Sequence, residues 1–227
     1  MNLVIVSRAI YPLHGFGGME RHCHDWILTM AELGCTINVI TMPPDHEFSG
    51  FPTSVHFHFI PGKPARKIFE RITSYPKWVD DVRSFLSQLI KKESVDAIYA
   101  NGLAIAGCTG LSVPVFYNPH GMEEFKTSGV KFVAYSSFRS MSRNAAKDST
   151  KVIATDKSLV SEIQKFLGIP EDKIVVIPNA VRIATHVTPN RKESTNFLSV
   201  GRLEHNKGFH ILIEALLALK IYLQIGN

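Results

Sequence analysis

The chain has 227 residues, with 25 Lys and Arg against 20 Asp and Glu, so its formal net charge is +5. Hydrophobic residues make up 45% and charged residues 20%, which excludes the composition of a disordered chain. No apolar run reaches the roughly 18 residues of a membrane-spanning helix, and residues 1–6 are expected to form a strand rather than a signal peptide. Three well-separated cysteines without a CxxC pair exclude a zinc ribbon or disulfide framework and suit a reducing cytoplasm.

Short β-branched runs alternate with longer amphipathic stretches, a pattern typical of a parallel sheet built from β-α-β units. The predicted strands cover residues 3–7, 35–41, 54–60, 96–100, 113–117, 151–155 and 173–177. The predicted helices cover residues 19–33, 75–92, 103–111, 132–147 and 157–167. The strand at 54–60 alternates apolar and polar residues, which indicates a position near an edge. The sequence therefore predicts a doubly wound α/β domain over residues 1–182.

The periodicity lapses after Pro178, and residues 183–195 are predicted to be an interdomain linker. A strand at 196–200, a helix at 209–219 and a strand at 221–225 then suggest one further β-α-β unit over residues 196–227. A unit of about 30 residues is too small to bury a core alone. We therefore expect either a truncated second domain of a longer protein or a unit that packs on the first domain.

Candidate binding residues follow the predicted strands, because ligands bind beyond the carboxyl ends of a parallel sheet. Asn101, His120 and Asn179 each follow such a strand. A glycine loop at residues 15–18 opens a helix, where unpaired N–H groups and the helix dipole attract an anion. Glu20 stands where GxGxxG has its third glycine, so an NAD site is not predicted. The alternative is a tight turn with Glu20 as a first-turn acid.

A second strand-to-helix loop carries Arg202 and Lys207. It places a guanidinium and an ammonium at a helix start, where they are suited to clamp a diphosphate. The alternative is a solvated basic loop.

Four motifs follow one another along the chain and together carry a family resemblance. They are Gly17-Gly18-Met19-Glu20-Arg21-His22, His120-Gly121, Pro178-Asn179-Ala180-Val181, and Gly201-Arg202-Leu203 followed by Lys207-Gly208. With these motifs the chain resembles a retaining glycosyltransferase of the GT-B fold, family 4 type. The resemblance implies two Rossmann-like domains that face a cleft, the first on the acceptor side and the second on the donor side.

The resemblance also implies a reaction and roles for the matching residues. A sugar would pass from a nucleotide diphosphate-sugar to a glycan or lipid-linked acceptor with retention, without a metal ion or other cofactor. The catalytic residues would be His120 beside the sugar and Arg202 and Lys207 on the leaving diphosphate. The substrate-binding residues would be Gly17, Gly18, Glu20, Asn101 and Asn179. The donor-binding E-x7-E segment of the family is missing, so this chain is expected to be inactive by itself.

Residues 63–78 combine basic and aromatic residues, which suits either a peripheral contact with the anionic inner face of the plasma membrane or core packing beside solvated lysines. No recognisable nucleic-acid-binding fold accompanies the basic residues, so no nucleic acid is expected. The alternative function is a non-catalytic anion- or acceptor-binding Rossmann-like module, and a sugar-nucleotide epimerase is a third candidate.

Overall fold

A computed structural model describes residues 1–44, 46–62, 68–180, 197–201, 203 and 205–225, without the side chains of 68–71, 206 and 220–225. The chain divides into two compact units, Met1–Ile183 and Ala184–Asn227, and each is described by itself. The predicted linker at 183–195 lies outside the described residues.

Seven parallel strands of the first unit form one sheet in the order β3-β2-β1-β4-β5-β6-β7. The strands are β1 (Asn2–Val6), β2 (Thr36–Thr41), β3 (Val55–Phe59), β4 (Ala97–Asn101), β5 (Val115–Asn118), β6 (Lys151–Ala154) and β7 (Ile174–Val176). The predicted α/β class is confirmed, and β3 is an edge strand as its alternation indicates.

Within the described residues, five α-helices lie between these strands, and a sixth lies in the second unit. They are α1 (Gly18–Glu32), α2 (Ile68–Lys92), α3 (Gly129–Ala134), α4 (Ser136–Asp148), α5 (Leu159–Leu167) and α6 (Phe209–Ile225). A 3-10 helix spans Gly102–Cys108. No helix within the described part of the chain is both long and apolar enough to cross a lipid bilayer.

The two faces of the sheet bury separate apolar clusters. One face packs Val4, Val6 and Ile98 against α2, α4 and α5. The other packs Leu3, Ile5 and neighbouring residues against α1. Burial on both faces explains why the central strands are nearly continuous apolar runs.

Helix α2 begins at Ile68, seven residues before its predicted start, and continues through Pro76. A proline inside a helix removes one backbone hydrogen bond and normally ends the element. Here Tyr75 and Trp78 on either side of Pro76 are buried in the core, as are Val79 and Val82 one turn later. The burial of this face outweighs the lost hydrogen bond.

Two further predictions on the first unit need correction. The predicted helix at 103–111 is the 3-10 helix Gly102–Cys108, whose small side chains lie close against α2. The predicted helix at 132–147 is two helices, α3 and α4, which meet at the buried Tyr135.

The predicted strand at 221–225 is wrong, because α6 runs from Phe209 to Ile225 without interruption. No glycine or proline occurs between Phe209 and Gly226 to stop the helix, and a helix satisfies its own backbone groups whereas a strand needs a neighbour. Residues 197–200 are not in a strand, and Asn196 lies outside the described residues.

Candidate functional site

The site lies where strand order reverses. Strand β1 has β2 on one side and β4 on the other, so the connections on its two sides run in opposite directions and leave a crevice at the carboxyl ends. The glycine loop follows β1, Asn101 ends β4, and His120 follows β5.

The glycine loop starts α1, with Gly17 at the N-cap and no side chain capping the first turn. The direction in which Gly18 would carry a Cβ is open, whereas a Cβ on Gly17 would collide with the carboxylate of Glu20. Glu20 therefore lies over the helix start, where the dipole favours an acid. This position matches the first-turn acid of the second interpretation, and the space beside Gly18 is left open for the anion of the first.

His14 fixes the loop to the rest of the sheet. Its Nδ1 accepts a hydrogen bond from the Ile10 amide at 3.1 Å, which leaves Nε2 to carry the proton and donate to the Met42 carbonyl at 2.9 Å. These two hydrogen bonds tie the loop to the end of β2, and they fix which nitrogen of His14 carries the hydrogen.

The His120 ring meets Asn101 at the crevice. His120 Nε2 lies 2.8 Å from Asn101 Oδ1, and because an amide oxygen only accepts, Nε2 carries the hydrogen and Nδ1 is left as an acceptor. Burial, reinforced by the neighbouring His22, lowers the pKa of His120 to about 4. The imidazole is therefore neutral near pH 7.

Asn101 is itself buried, with 2% exposure. Its Nδ2 makes no well-formed hydrogen bond to the described residues and has the Cys23 thiol as a polar neighbour. Burial raises the pKa of Cys23 to about 12, so this cysteine is a protonated core residue rather than a nucleophile.

Three residues that were not predicted as site residues complete a hydrogen-bonded chain behind His120. Asn118 Nδ2 donates to Tyr99 Oη at 2.9 Å, and Tyr99 Oη lies 3.0 Å from His22 Nε2. The His22 ring faces the His120 ring, with 5.5 Å between centroids. Tyr99 was missed because its place in a buried strand is typical of a core residue, whereas the position of Asn118 at a strand end is a usable signal.

A cavity of about 180 Å³ opens beside Asn101. Its charged lining residues are Arg8, Glu123 and Glu124, and Tyr75, Tyr135 and Phe138 form an aromatic wall. A lining that combines charged groups with aromatic rings suits a ligand that carries both hydroxyls and C–H groups.

Glu124 is held in this cavity by helix α4. Ser142 Oγ donates to Glu124 Oε1 at 2.5 Å, and Arg139 Nη1 donates to the Glu124 carbonyl at 3.2 Å. Burial raises the pKa of the Glu124 carboxyl, so this group gains a proton at a higher pH than an exposed glutamate does.

The remaining predicted site residues lie elsewhere. Asn179 is exposed and follows β7, three strands from β4, which corresponds to roughly 14 Å across the sheet. Lys207 belongs to the second unit, where it is exposed in a 3-10 helix before α6. Arg202 lies outside the described residues. Across the described ranges no three His, Cys, Asp or Glu side chains gather to hold a metal ion.

The segment predicted to contact a membrane is described only in part. Residues 63–67 and the side chains of 68–71 lie outside the described residues. Tyr75 and Trp78 are buried, with 9% and 3% exposure, and Ile72 packs against the same core. These aromatic residues are core residues and do not face a bilayer.

Comparison with known proteins gives a family match. The family model described as Glycosyltransferase Family 4 matches residues 16–185, which is more than half of the chain. Comparison with curated proteins finds no match.

Solved structures give the same fold at low identity. Sucrose-phosphate synthase from Thermosynechococcus elongatus superposes with a TM-score of 0.61 at 12% identity, over 78% of this chain and 47% of that one. The catalytic domain of starch synthase IV from Arabidopsis thaliana, bound to ADP and acarbose, gives 0.56 at 12% identity over 79% and 51%. WaaG, a glycosyltransferase involved in lipopolysaccharide biosynthesis, gives 0.54 at 13% over 78% and 44%. The chain spans about half the length of these proteins.

Proposed function

The chain belongs to glycosyltransferase family 4, and from this we propose that it carries the acceptor-side half of an enzyme that transfers a sugar from a nucleotide diphosphate-sugar to a glycan or lipid-linked hydroxyl. The observation that carries the proposal is the convergence of three groups at one crevice. These are the uncapped start of α1 at Gly18, the neutral His120 with Asn101, and the cavity beside Asn101.

The start of α1 is the proposed subsite for the donor diphosphate. Unpaired N–H groups and the helix dipole favour an anion there, and the open space at Gly18 lets phosphate oxygens reach the backbone. As the family resemblance implies, Arg202 and Lys207 are proposed to bind the leaving diphosphate. The proposed transfer uses these groups, and no metal ion, to stabilise the leaving diphosphate.

His120 is proposed to bind a hydroxyl of the transferred sugar. Its Nδ1 is an acceptor, since Nε2 is committed to Asn101, and a neutral ring accepts from a hydroxyl where a protonated ring does not. The aromatic and carboxyl-lined cavity is proposed to hold the acceptor, with Glu124 contacting its hydroxyls.

Retention of configuration is proposed to follow from attack on the face that the diphosphate leaves. The bond from the anomeric carbon to the diphosphate oxygen breaks, and the bond to the acceptor oxygen forms on the same face. The acceptor proton passes to the departing diphosphate oxygen. We further propose that the enzyme is cytoplasmic, because three unpaired cysteines suit a reducing compartment.

The test uses the full chain and two probes, inorganic pyrophosphate and a methyl glycoside, with amide chemical shifts as readout. Pyrophosphate should shift the amides of Gly18 and Met19, and the glycoside should shift those of Gly102 and Glu124. Gly18→Ala should weaken pyrophosphate binding by about tenfold, because its Cβ fills open space without touching the fold. The amide shifts caused by the glycoside should stay the same in this variant, and they thereby show that the variant is folded. Pyrophosphate shifts scattered over surface lysines would contradict the proposed subsite.

A further inference from the structure

His120 has a backbone conformation that needs support. Its φ is +50°, in the left-handed region, and Met122 two residues later has the same φ. A residue with a Cβ is strained there and persists only where its surroundings fix it. One such support is visible, because the His120 amide donates to Asn118 Oδ1 at 3.2 Å.

The Asn118 carboxamide is fixed in turn by Tyr99. Asn118 is 1% exposed, and its Nδ2 donates to Tyr99 Oη at 2.9 Å. The strand pairing of β4 with β5 places Asn101 opposite Asn118, two residues beyond Tyr99. With Nδ2 bound to Tyr99, the carboxamide cannot turn over without losing both hydrogen bonds, so Oδ1 stays aimed at the His120 amide.

The Tyr99 hydroxyl also reaches helix α1. Because it accepts from Asn118, its own hydrogen is free to go to His22 Nε2, 3.0 Å away. Burial lowers the pKa of His22 and raises the pKa of Tyr99, so both groups are neutral and this direction of donation is retained near pH 7. The Tyr99 ring stacks on Trp26 of α1, with 4.9 Å between centroids and 9° between planes.

We propose that Tyr99 is a positioning residue, whose hydroxyl links His22 of α1 to Asn118 and thereby holds His120 in its left-handed conformation. The link ties the helix that begins at the glycine loop to the histidine across the crevice. The relevance of this link to catalysis rests on the proposed function. The positioning itself does not, since it concerns hydrogen bonds within the chain.

The test compares Tyr99→Phe with Tyr117→Phe in the full chain. Tyr99→Phe removes one hydroxyl and keeps the ring that stacks on Trp26. Tyr117 is a matched control, since it is also buried, at 1% exposure, but packs into the cluster on the opposite face of the sheet. Its hydroxyl interacts with Ser142 rather than with Asn118.

The readouts are amide hydrogen exchange of His120 and the imidazole nitrogen shifts of His22. In Tyr99→Phe the His120 amide should exchange about tenfold faster, as expected when a hydrogen bond loses its support, and the His22 tautomer should shift away from Nδ1–H. Tyr117→Phe should leave both readouts unchanged. Unchanged exchange and tautomer in Tyr99→Phe would overturn the proposal, as would equal changes in the two variants. If the readouts change as expected while pyrophosphate and glycoside fail to bind, the positioning role stands and the proposed function fails.

Discussion

At the scale of single residues, burial sets the protonation of the crevice more than neighbouring charge does. Desolvation is the main cause of the lowered pKa of both His120 and His22. A carboxylate close to His120 would have raised its pKa and made it a cation. The ring instead meets an amide, Asn101, and stays a neutral acceptor. This is the state that suits a sugar hydroxyl.

The buried neutral state of His120 predicts a pH dependence of stability. Between pH 6.5 and about 4, an unfolded chain protonates this histidine while the folded chain does not. The free energy of unfolding should therefore fall as the pH drops through this window, by about 2 kcal/mol at pH 5 from His120 alone.

This loss is measured by urea unfolding at pH 7.5 and pH 5 in the wild type and in His120→Gln. The variant lacks the titrating ring, so its stability should drop by about 2 kcal/mol less over the same interval. Because each protein is compared with itself at the two pH values, the effect of the substitution on stability cancels. An equal drop in the two proteins would show that the pKa of His120 is not lowered in the folded chain.

At the scale of elements, the sequence predicts the strands of the first unit better than it predicts the helices, and the two strands predicted after residue 195 are not observed among the described residues. Strand boundaries follow from β-branched runs buried on both faces, and the observed limits of β1, β2 and β6 differ from the predicted ones by one residue. The early start of α2 was hidden by Pro76, whose local cost is outweighed by core packing that a sequence does not display. The helical end at Ile225 was hidden by an apolar run that fits either element.

The residues of the candidate site also fall into some that the sequence predicts and some that it does not. Gly17, Gly18, Asn101 and His120 could be named from their positions after strands, where a parallel sheet presents its ligand-binding edge. Tyr99 could not, because a tyrosine within a strand has the same sequence signature whether its hydroxyl is idle or bonded. Glu124 could not, because its cavity is closed by α4, which is distant in sequence.

The contact of α2 with the 3-10 helix Gly102–Cys108 yields a packing prediction. A Cβ at Gly107 would lie 2.7 Å from Val82 Cγ1 and 3.2 Å from the Val79 carbonyl oxygen, closer than packed atoms allow. Gly107→Ala should therefore lower the free energy of unfolding by roughly 1–3 kcal/mol, measured by urea unfolding.

The partner of this contact supplies the control. Val82→Ala removes the methyl group that the new Cβ would strike, so the double variant should be less destabilised than the two single losses combined. Simple additivity would mean that the cost at Gly107 arises from the backbone rather than from the contact with Val82.

At the scale of the whole molecule, the core belongs to the first unit. The buried hydrophobic residues of the described chain end at Ile169, and in the second unit Ile211, Ile213, Leu217 and Leu219 of α6 are 45–61% exposed. Exposed apolar residues in one helix add little to folding and favour association with other apolar surfaces. We therefore expect the first unit to determine the stability of the chain and α6 to promote self-association.

Two shortened chains test this separation. Residues 1–183 keep both apolar clusters, so their melting temperature should lie within about 3 °C of that of the full chain, a shift corresponding to less than about 1 kcal/mol. Sedimentation equilibrium should show less self-association than in the full chain, since α6 is absent. Residues 1–158 lack the fully buried Ile163 and Leu167 of α5, whose loss should abolish cooperative unfolding. Melting of residues 1–183 at a temperature much lower than that of the full chain would contradict the expectation that the two apolar clusters carry the stability of the chain.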